Sequence, residues 1–335
     1  MLTIIYVIIF CIGIIGFIMT VAAGATLAER RIAAYIQDRI GPNRVGPFGT
    51  LQVVADGIKI FFKEDFIPSY VNKPIFWLAP IIAFVPAIIN LSIIPFGSIS
   101  WTADDAIVLA DVNVGILFFL AITSIAGYGF AYAGWASNSK YSLLGGLRSA
   151  AQLISFELGM GLALISIILF SGEITLKNII GSQMEHGWNV FTQPLAFIIF
   201  LTAAFAECNR TPFDIPEAEQ EIVSGYHTEF SSMRFGMFMF GEYIALITMS
   251  AFITCLFLGG WDIPFIGKEG FGSEVFNVIA SVASFLTKTF LLVFFYMWVR
   301  WTLPRFRWDQ LMTLGWKILI PLGLLNIVIT ALLML

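Results

Sequence analysis

A dense block of acidic side chains lies between two long apolar runs of this chain. The segment AECNRTPFDIPEAEQEIVSGYHTEF, residues 206–230, contains six carboxyl groups and one arginine, Arg210. The carboxyl groups belong to Glu207, Asp214, Glu217, Glu219, Glu221 and Glu229. Carboxylates crowded together in surroundings of low dielectric constant share protons, so a change in nearby charge shifts several of them at once. This chemistry suits a site that converts a change of charge into a movement of protons.

A solvated acidic loop is the simpler interpretation of the same segment. Its apolar and aromatic side chains favour packing against another surface over exposure to water. These side chains are Phe213, Ile215, Ile222, Val223, Tyr226 and Phe230. Pro216 is suited to the first turn of a helix, on which Glu217 and Glu221 would lie four residues apart and repel each other.

Four ionisable residues lie within or at the end of long apolar runs: Glu157, Glu207, Glu242 and Lys288. A charge at the centre of a bilayer costs about 2.5–3.5 kcal/mol on insertion scales, so such residues require a reason. One reason is pairing that holds helices together, for example Lys288 with a carboxylate. The other is proton transfer, because a desolvated carboxylate near a cation can titrate close to neutral pH. A series of such carboxylates would form a proton relay.

The sequence lacks the motifs of a bound redox cofactor. The cysteines Cys11, Cys208 and Cys255 are too widely separated for an iron–sulfur motif or a disulfide framework. The histidines His186 and His227 lie outside the apolar runs, whereas a haem-ligating pair would have to lie inside them. Gly-rich nucleotide-binding motifs are also missing. Any redox cofactors that serve this chain are therefore expected in other proteins.

An unusually apolar chain positions these residues. It has 335 residues, of which 59% are hydrophobic and 12% charged, and its mean hydropathy is +0.89. This composition predicts an all-α polytopic membrane protein, because roughly 20 mostly apolar residues form a helix that crosses the ~30 Å hydrocarbon layer. Eight transmembrane helices are predicted, at about residues 2–25, 74–97, 112–136, 147–170, 191–208, 235–258, 278–300 and 311–334. Residues 1–335 are predicted to form a single transmembrane domain.

The distribution of basic residues predicts the orientation. The loops 26–73, 137–146, 209–234 and 301–310, with the flanking Arg148 and Arg300, carry 14 of the 18 basic residues. By the positive-inside rule, these loops face the cytoplasm and both termini lie on the outer side. Tryptophans near the span ends are predicted to anchor in the membrane interfaces. They are Trp77, Trp135, Trp298, Trp301 and Trp308 on the inner side, and Trp101, Trp188 and Trp261 on the outer side.

The longest interruption of the apolar pattern contains an amphipathic segment at about 49–64. Its apolar face would carry Leu51, Val54, Ala55, Ile58, Phe61 and Phe62, and its polar face Gln52, Asp56, Lys59 and Lys63. The segment is too short and too charged to span a bilayer. We therefore predict an interfacial helix on the cytoplasmic side, with its apolar face against lipid or against the helix bundle.

Four long stretches of the sequence resemble one protein family. They are ERRIAAYIQDRIGPNRVGPFGTLQVVADGIKIFFKED, NSKYSLLGGLRSAAQLISFEL, FAECNRTPFDIPEAEQEIVSGYHTEFSSMRFGMFMFGEY and WVRWTLPRFRWDQLMTLGWK. The family is that of the H subunit of NADH:quinone oxidoreductase, the proton-pumping respiratory complex I. The resemblance extends over the whole chain, including the eight predicted spans and the interfacial helix.

The resemblance implies a membrane foot beneath a peripheral redox arm, with part of a tunnel for a lipid quinone. The tunnel residues that it implies are Glu29, Arg30, Asp56, Arg210 and Asp214. It also implies a chain of carboxylates toward the membrane interior, made of Glu157, Glu207, Glu217, Glu219, Glu221 and Glu242. Some relatives carry a further carboxylate in the third span, where this sequence has Thr123, Ser124 and Tyr128. That relay step is either absent here or served by water and hydroxyl groups.

Partners and location also follow from the resemblance. The chain would take quinone as a substrate and bind no cofactor or metal itself, while NADH, FMN and iron–sulfur clusters would be bound by partner subunits. Those partners would be quinone-site and terminal iron–sulfur subunits of the arm, small membrane subunits and antiporter-like subunits, with no nucleic acid. The chain would be part of a translocase without being catalytic alone. The expected location is an energy-transducing membrane, the bacterial inner membrane.

Three other functions fit the same residues. The first is the equivalent membrane-anchor subunit of a related hydrogenase or dehydrogenase complex, since the electron donor binds far from this chain. The second is an autonomous ion transporter that uses the same carboxylates, although no repeat of inverted halves is recognisable. The third is a scaffold whose charges only dock the peripheral arm.

Overall fold

The computed structural model describes residues 2–216, 223–264 and 273–334 of the chain. The protein is mostly helical, at 73%. Within the described residues, its β-structure is one antiparallel pair of two-residue strands, β1 (Gly97–Ser98) and β2 (Ala106–Ile107). Six helical stretches of this part of the chain are long and apolar enough to cross a membrane. The predicted class, an all-α membrane protein, is consistent with these features.

The helices follow one another along the chain with short connections. They are α1 (Leu2–Ile36), α2 (Gln52–Phe62), α3 (Lys73–Leu91), α4 (Gly115–Ala136), α5 (Lys140–Ser171), α6 (Leu176–His186), α7 (Asn189–Thr192), α8 (Pro194–Glu207), α9 (Ser232–Phe257), α10 (Glu274–Thr302), α11 (Trp308–Thr313) and α12 (Ile320–Met334). A π-helical turn, Leu314–Leu319, joins α11 to α12, and 3₁₀ turns occur at Pro47–Gly49 and Gly225–His227.

Six predicted spans coincide with the six long stretches α3, α4, α5, α9, α10 and Trp308–Met334. The predicted span 2–25 lies within the 35-residue α1. The predicted span 191–208 corresponds to α8, which has only 14 residues. At 1.5 Å per residue such a helix is about 21 Å long, shorter than the ~30 Å hydrocarbon layer. Both of its ends are buried, at Gln193 and Asn209, so protein surrounds the polar groups there.

Helix α9 lies at the centre of the bundle. In its apolar stretch 78% of the residues are buried, compared with 22–50% in the other five long helices. It packs against α1, α3 and α10, and its Phe252 ring stacks on Phe119 of α4 at a centroid distance of 3.7 Å. The other long helices therefore keep an apolar face for lipid or partner proteins, while α9 packs almost entirely within the protein.

Small residues allow α3, α4 and α5 to pack closely. A β-carbon on Gly129 of α4 would lie 2.6 Å from the backbone nitrogen of Ala83 on α3. A β-carbon on Gly134 would lie 2.5 Å from the carbonyl oxygen of Ser142 on α5. These glycines set the distances between helices whose side chains line the cavities described below.

The outer end of α9 is satisfied by polar side chains from other elements. Gln183 and Asn189 donate to the carbonyl oxygens of Cys255 and Leu256, each at 2.8 Å. Lys288 of α10 donates to the carbonyl oxygens of Leu258 at 2.7 Å, Gly260 at 3.0 Å and Asp262. The Asp262 carboxylate also attracts the Lys288 ammonium group, although the hydrogen bonds of Lys288 are made to main-chain oxygens. Its hydrogen bonds go to the unpaired main-chain carbonyls that follow a helix end.

The tryptophans predicted for the inner side differ in burial from those predicted for the outer side. On the inner side, Trp77, Trp135 and Trp298 are at least half exposed, as membrane anchors should be. On the outer side, Trp101 and Trp261 are fully buried within the protein. The prediction of outer anchors was wrong for these two, because a side chain buried within the protein cannot lie in the membrane interface.

The connector from α1 to α2 is compact. Arg31 donates to the carbonyl oxygen of Phe48, and Gly49 adopts a φ of +73°. A β-carbon on Gly49 would lie 2.1 Å from the carbonyl oxygen of Pro42, so only glycine fits where the two turns meet. Helix α2 begins three residues later than the predicted segment and ends two residues earlier. None of its residues is buried, and the Phe62 side chain is 87% exposed.

The acidic segment packs against the bundle in the parts that the structure describes. Phe213, Ile215, Tyr226 and Phe230 are buried, as predicted from their apolar character. Val223 is exposed, so the prediction was wrong for this residue. Glu217, Glu219, Glu221 and Ile222 lie outside the described residues.

Replacing Gly129 with alanine should destabilise the protein, because the added β-carbon would collide with the backbone of Ala83. Overpacking of this kind costs about 1–3 kcal/mol. The variant should unfold at a lower temperature in detergent. Gly161→Ala in α5 is the matched control, because its β-carbon would meet no atom within 4 Å. Equal unfolding temperatures for the two variants would contradict the close contact between α3 and α4.

Candidate functional site

Arg210 lies at the centre of a buried group of charges. It follows α8 in a turn that α5 holds in place, because Gln152 donates to the carbonyl oxygens of Ala206 at 2.8 Å and Phe213 at 2.9 Å. The Arg210 side chain is only 3% exposed. The turn thus places the guanidinium group of Arg210 in the interior of the bundle.

Two glutamates from different helices face this guanidinium. Glu29 of α1 lies 3.5 Å from Arg210, and Glu242 of α9 lies 3.8 Å from it. The guanidinium carbon also lies 4.3 Å from the centre of the Tyr243 ring. A buried charge is tolerated when opposite charges and polar contacts surround it. Arg210 therefore depends on both glutamates, and each glutamate depends on Arg210.

Arg300 and Tyr226 extend this group at its two ends. We call the whole set the ionic row, which consists of Arg300, Glu29, Arg210, Glu242 and Tyr226. Arg300 of α10 donates to Glu29 at 2.5 Å, and the Tyr226 hydroxyl donates to Glu242 at 3.1 Å. Tyr226 is positioned by a tight contact, since a β-carbon on Gly145 of α5 would lie 2.6 Å from its backbone nitrogen. The row contains two positive and two negative side chains, so its charge is balanced.

Asp214 lies in the same turn as Arg210 but pairs with a different cation. Arg305, in the segment after α10, donates to Asp214 at 2.6 Å. This pair ties the acidic segment to the connection between α10 and α11. Asp214 is buried, whereas the Arg305 side chain is partly exposed.

A second ion pair joins α1 to the polar face of α2. Arg30 donates to Asp56, which also accepts from Gln52 at 3.0 Å and lies 3.6 Å from Lys59. Partial burial of Asp56 opposes ionisation, but the hydrogen bonds from Gln52 and Arg30 and the charges of Arg30 and Lys59 outweigh it. The pKa of Asp56 therefore lies below its ordinary value of 3.8.

A cavity begins at the end of the ionic row. It is bounded by α3, α4, α9 and the end of α8, and its water-accessible volume is about 50 Å³. Glu242 and Glu207 both line it, together with the hydrogen-bonded side chains of Asn90 and Thr123. One water molecule requires roughly 10–15 Å³ of such volume, so the cavity has room for water beside the two carboxyl groups.

A second cavity lies on the other side of Glu207. Its water-accessible volume is about 70 Å³, and it is lined by Glu207 and by Glu157 of α5. Thr123 and Ser124 of α4 line it too, and the Ser124 hydroxyl donates to Glu157. Glu207 is thus shared by both cavities, and its Oε2 atom has no hydrogen-bond partner among the described residues. Such an oxygen is available to a water molecule.

The structure thus separates the predicted site residues into three groups. Glu29, Arg210 and Glu242 belong to the ionic row. Glu207 and Glu157 follow along the two cavities. Two ion pairs hold the remaining described members, Arg30 with Asp56 and Asp214 with Arg305.

Several residues of the site were not singled out from the sequence. Arg300 and Arg305 counted only as inner basic residues, Tyr226 only as a packing residue, and Tyr243 received no role. Arg300 and Arg305 both lie in the quoted stretch WVRWTLPRFRWDQLMTLGWK, which was the available signal. Among the described residues, no group of three or more His, Cys, Asp or Glu side chains could hold a metal ion.

Comparison with known proteins identifies the family. The family model described as NADH dehydrogenase matches residues 9–331. The chain belongs to this family. A relative from Geobacter metallireducens, the H 1 subunit of NADH-quinone oxidoreductase, is 51% identical over 315 residues, which cover 93% of this chain and 92% of the relative.

Two further relatives agree with this assignment. The H 1 subunit of NADH-quinone oxidoreductase from Cytophaga hutchinsonii is 48% identical, and the match covers 93% of this chain and 92% of the relative. NADH-quinone oxidoreductase subunit 8 of Rhodothermus marinus is 49% identical, with coverage of 95% and 94%. This NADH dehydrogenase family chain is therefore one membrane subunit of an oxidoreductase complex, as the resemblance predicted.

The Arg30–Asp56 pair of this NADH dehydrogenase family member should persist into acid. Because the folded pKa of Asp56 is lowered, its stabilising effect is complete above 3.8 and is lost as the pH falls through the lower folded value. Asp56→Asn should therefore reduce the free energy of unfolding by about 0.2–1 kcal/mol near neutral pH, and by less in strong acid. Thermal unfolding measured across pH tests this, and Arg30→Gln should give the same profile. A loss of stability that stays constant down to the lowest pH would contradict the ion pair.

Proposed function

We propose that this chain forms the access tunnel for quinone in its complex and couples quinone reduction to proton translocation through a chain of carboxylates. One observation carries the proposal. Glu242, at one end of the ionic row, shares the first cavity with Glu207, and Glu207 shares the second cavity with Glu157. Such continuity is what a proton path requires, because each transfer needs a titratable group or water within hydrogen-bond reach.

The quinone end of the path lies at the inner ends of α1, α2 and α9. Glu29, Arg30, Asp56, Arg210 and Asp214 are the residues proposed to border the tunnel. All five take part in charge pairs, so a charge that develops on the bound quinone would disturb balanced partners. A negative charge about 8 Å away, at an effective dielectric constant near 20, changes the energy of a carboxyl group by roughly 2 kcal/mol. This alters proton affinity more than tenfold.

The proton path is proposed to lead from Glu242 through Glu207 to Glu157. Arg210 lies beside Glu242, so a shift of Arg210 toward a reduced, anionic quinone would leave Glu242 less stabilised as an anion. Glu242 would then take up a proton, which water in the first cavity could pass to Glu207. We include Glu217, Glu219 and Glu221 in the same chain on the strength of the family resemblance.

The step without a carboxylate in α4 is assigned to hydroxyl groups. Ser124 donates to Glu157 and lines the same cavity as Thr123 and Tyr128. A hydroxyl group can donate one hydrogen bond while it accepts another, so it can pass a proton along without titrating. We therefore propose that Ser124 and water replace the carboxylate that some relatives carry in the third span.

The remaining features of the proposal concern the setting of the chain. We propose eight transmembrane helices with α1 and α8 as the first and fifth, both termini on the outer side, and residence in the bacterial inner membrane. Six long apolar helices and exposed inner tryptophans support this arrangement. NADH, FMN and iron–sulfur clusters would be held by partner subunits of the peripheral arm. Antiporter-like subunits would receive the proton signal from Glu157.

Glu207→Gln should impair coupling in the assembled complex, since an amide of similar shape cannot carry a proton between the cavities. We expect a loss of at least about tenfold in quinone-dependent turnover and proton pumping, within the usual range for a positioned acid or base. Turnover and pumping are measured together in sealed vesicles. The control is Glu173→Gln, because Glu173 is exposed and bonded to Asn178 near the outer end of α5. Unchanged pumping rate and stoichiometry in Glu207→Gln would defeat the relay.

An autonomous ion transporter remains the competing function, because the same carboxylates and cavities could conduct ions. The isolated chain in liposomes should then carry ions down an imposed gradient, whereas a coupling subunit should be inert without its partners. We expect no flux above that of empty liposomes, measured with an internal pH dye. A flux that Glu207→Gln abolishes would favour the transporter. A pure scaffold would instead be recognised by full activity of the Glu207 variant. A hydrogenase anchor would be recognised by copurifying hydrogenase subunits.

A further inference from the structure

We infer that Arg234 is a positioning residue that holds the interfacial helix α2 against α9, and that it thereby sets the opening through which a long-tailed quinone enters. The second half of this inference rests on the proposed function. The first half stands on the contacts of Arg234 alone.

Arg234 lies in the first turn of α9 and is almost fully buried. Its Nε atom donates to Asp65 at 3.0 Å, and its terminal nitrogen lies 2.5 Å from the same carboxylate oxygen. The guanidinium carbon also lies 5.0 Å from the centre of the Phe76 ring and 4.6 Å from that of Trp77 on α3. One planar group therefore joins α3, α9 and the segment that follows α2. Arginine suits this position, because it can stack on aromatic rings and donate in its plane at once.

Neighbours of Arg234 bind the end of α2 directly. Ser232 donates to the carbonyl oxygen of Ile60 at 3.0 Å, and Ser231 donates to that of Glu64 at 3.2 Å. These carbonyls belong to the last turn of α2 and the residues after it, which lack partners within the helix. A β-carbon on Gly236 would lie 3.1 Å from the Ile60 side chain, so the two helices are in close contact. The first turn of α9 thus acts as a clamp on the C-terminal end of α2.

The N-terminal part of α2 is held by α1 through the Arg30–Asp56 pair. Helix α2, which carries the proposed tunnel residue Asp56, therefore bridges α1 and α9. None of its residues is buried, so packing alone gives it little support. Its position depends on these few polar contacts, and among them the Arg234–Asp65 pair has the most deeply buried cation.

The clamp is tested first without reference to quinone. Arg234→Gln and Asp65→Asn, in the intact complex, should each raise amide hydrogen exchange in residues 52–62 by about tenfold, the size expected for loss of one hydrogen bond to a charged group. The double variant should exchange no faster than either single variant, because both remove the same contact. Arg234→Lys should fall between, since it keeps the charge but cannot stack and donate in the same way. Lys73→Gln, an exposed cation one turn from Trp77, is the control.

The second measurement compares two quinones in the same complexes. The clamp variants should raise the KM for a quinone with a long isoprenoid tail by about three- to tenfold, while the KM for a short-tailed quinone and both kcat values stay nearly constant. A merely structural role would lower kcat for both quinones alike.

The outcomes separate the two halves of the inference. Unchanged exchange in both single variants would overturn the clamp, whatever the kinetics show. Faster exchange with an unchanged KM for the long-tailed quinone would leave the clamp in place and overturn the quinone opening, and with it the proposed tunnel on this side. If Arg234→Gln fails to assemble, Arg234→Lys and Asp65→Asn give the same test with the buried aromatic contact less disturbed.

Discussion

The structure depends on one buried cation that two helices share. Arg210 lies in the interior between Glu29 of α1 and Glu242 of α9 and helps to stabilise the charge of both acids, and Glu29 is also paired with Arg300. Removing one partner of a buried ion pair typically costs about 3–5 kcal/mol, because the other charge is left without compensation. The turn that carries Arg210 is accordingly fixed by Gln152 and covered by aromatic side chains. A group held in this way is stable, yet its two glutamates share one cation, so a charge that competed for Arg210 would weaken the stabilisation of both.

Two cavities extend from the Glu242 end of the ionic row. They begin at Glu242, pass Glu207 and end at Glu157, and polar side chains of α3 and α4 line the route. The helices around them are drawn together by glycines such as Gly129 and Gly134, yet room remains between the carboxyl groups. Small residues on α4 therefore account both for the close packing of these helices and for the cavities between them. Larger side chains on α4 would push the helices apart, and larger side chains between the helices would fill the cavities.

Features set by local composition could be predicted from the sequence. The all-α class, the approximate limits of six spans and the burial of aromatic residues in the acidic segment all follow from apolar runs and their interruptions. The pairings could not be predicted in the same way, because Arg300 and Glu29 are separated by 271 positions and only folding brings them together. Lys288 shows that charge alone gives only part of the environment, since main-chain carbonyls accept its hydrogen bonds in addition to its attraction to the Asp262 carboxylate. Trp101 and Trp261 were misassigned because their burial depends on tertiary packing, for which the local sequence gives no signal.

The contacts of Lys288 have a consequence for biogenesis. A lone ammonium group in the middle of an apolar helix costs about 2.5–3.5 kcal/mol during insertion. Its acceptors, the carbonyls of Leu258, Gly260 and Asp262, all precede it in the chain, as does the Trp188 ring 4.4 Å away. These three acceptors and the ring are therefore synthesised before α10. When α10 enters the bilayer, the groups that stabilise the Lys288 side chain are thus already present.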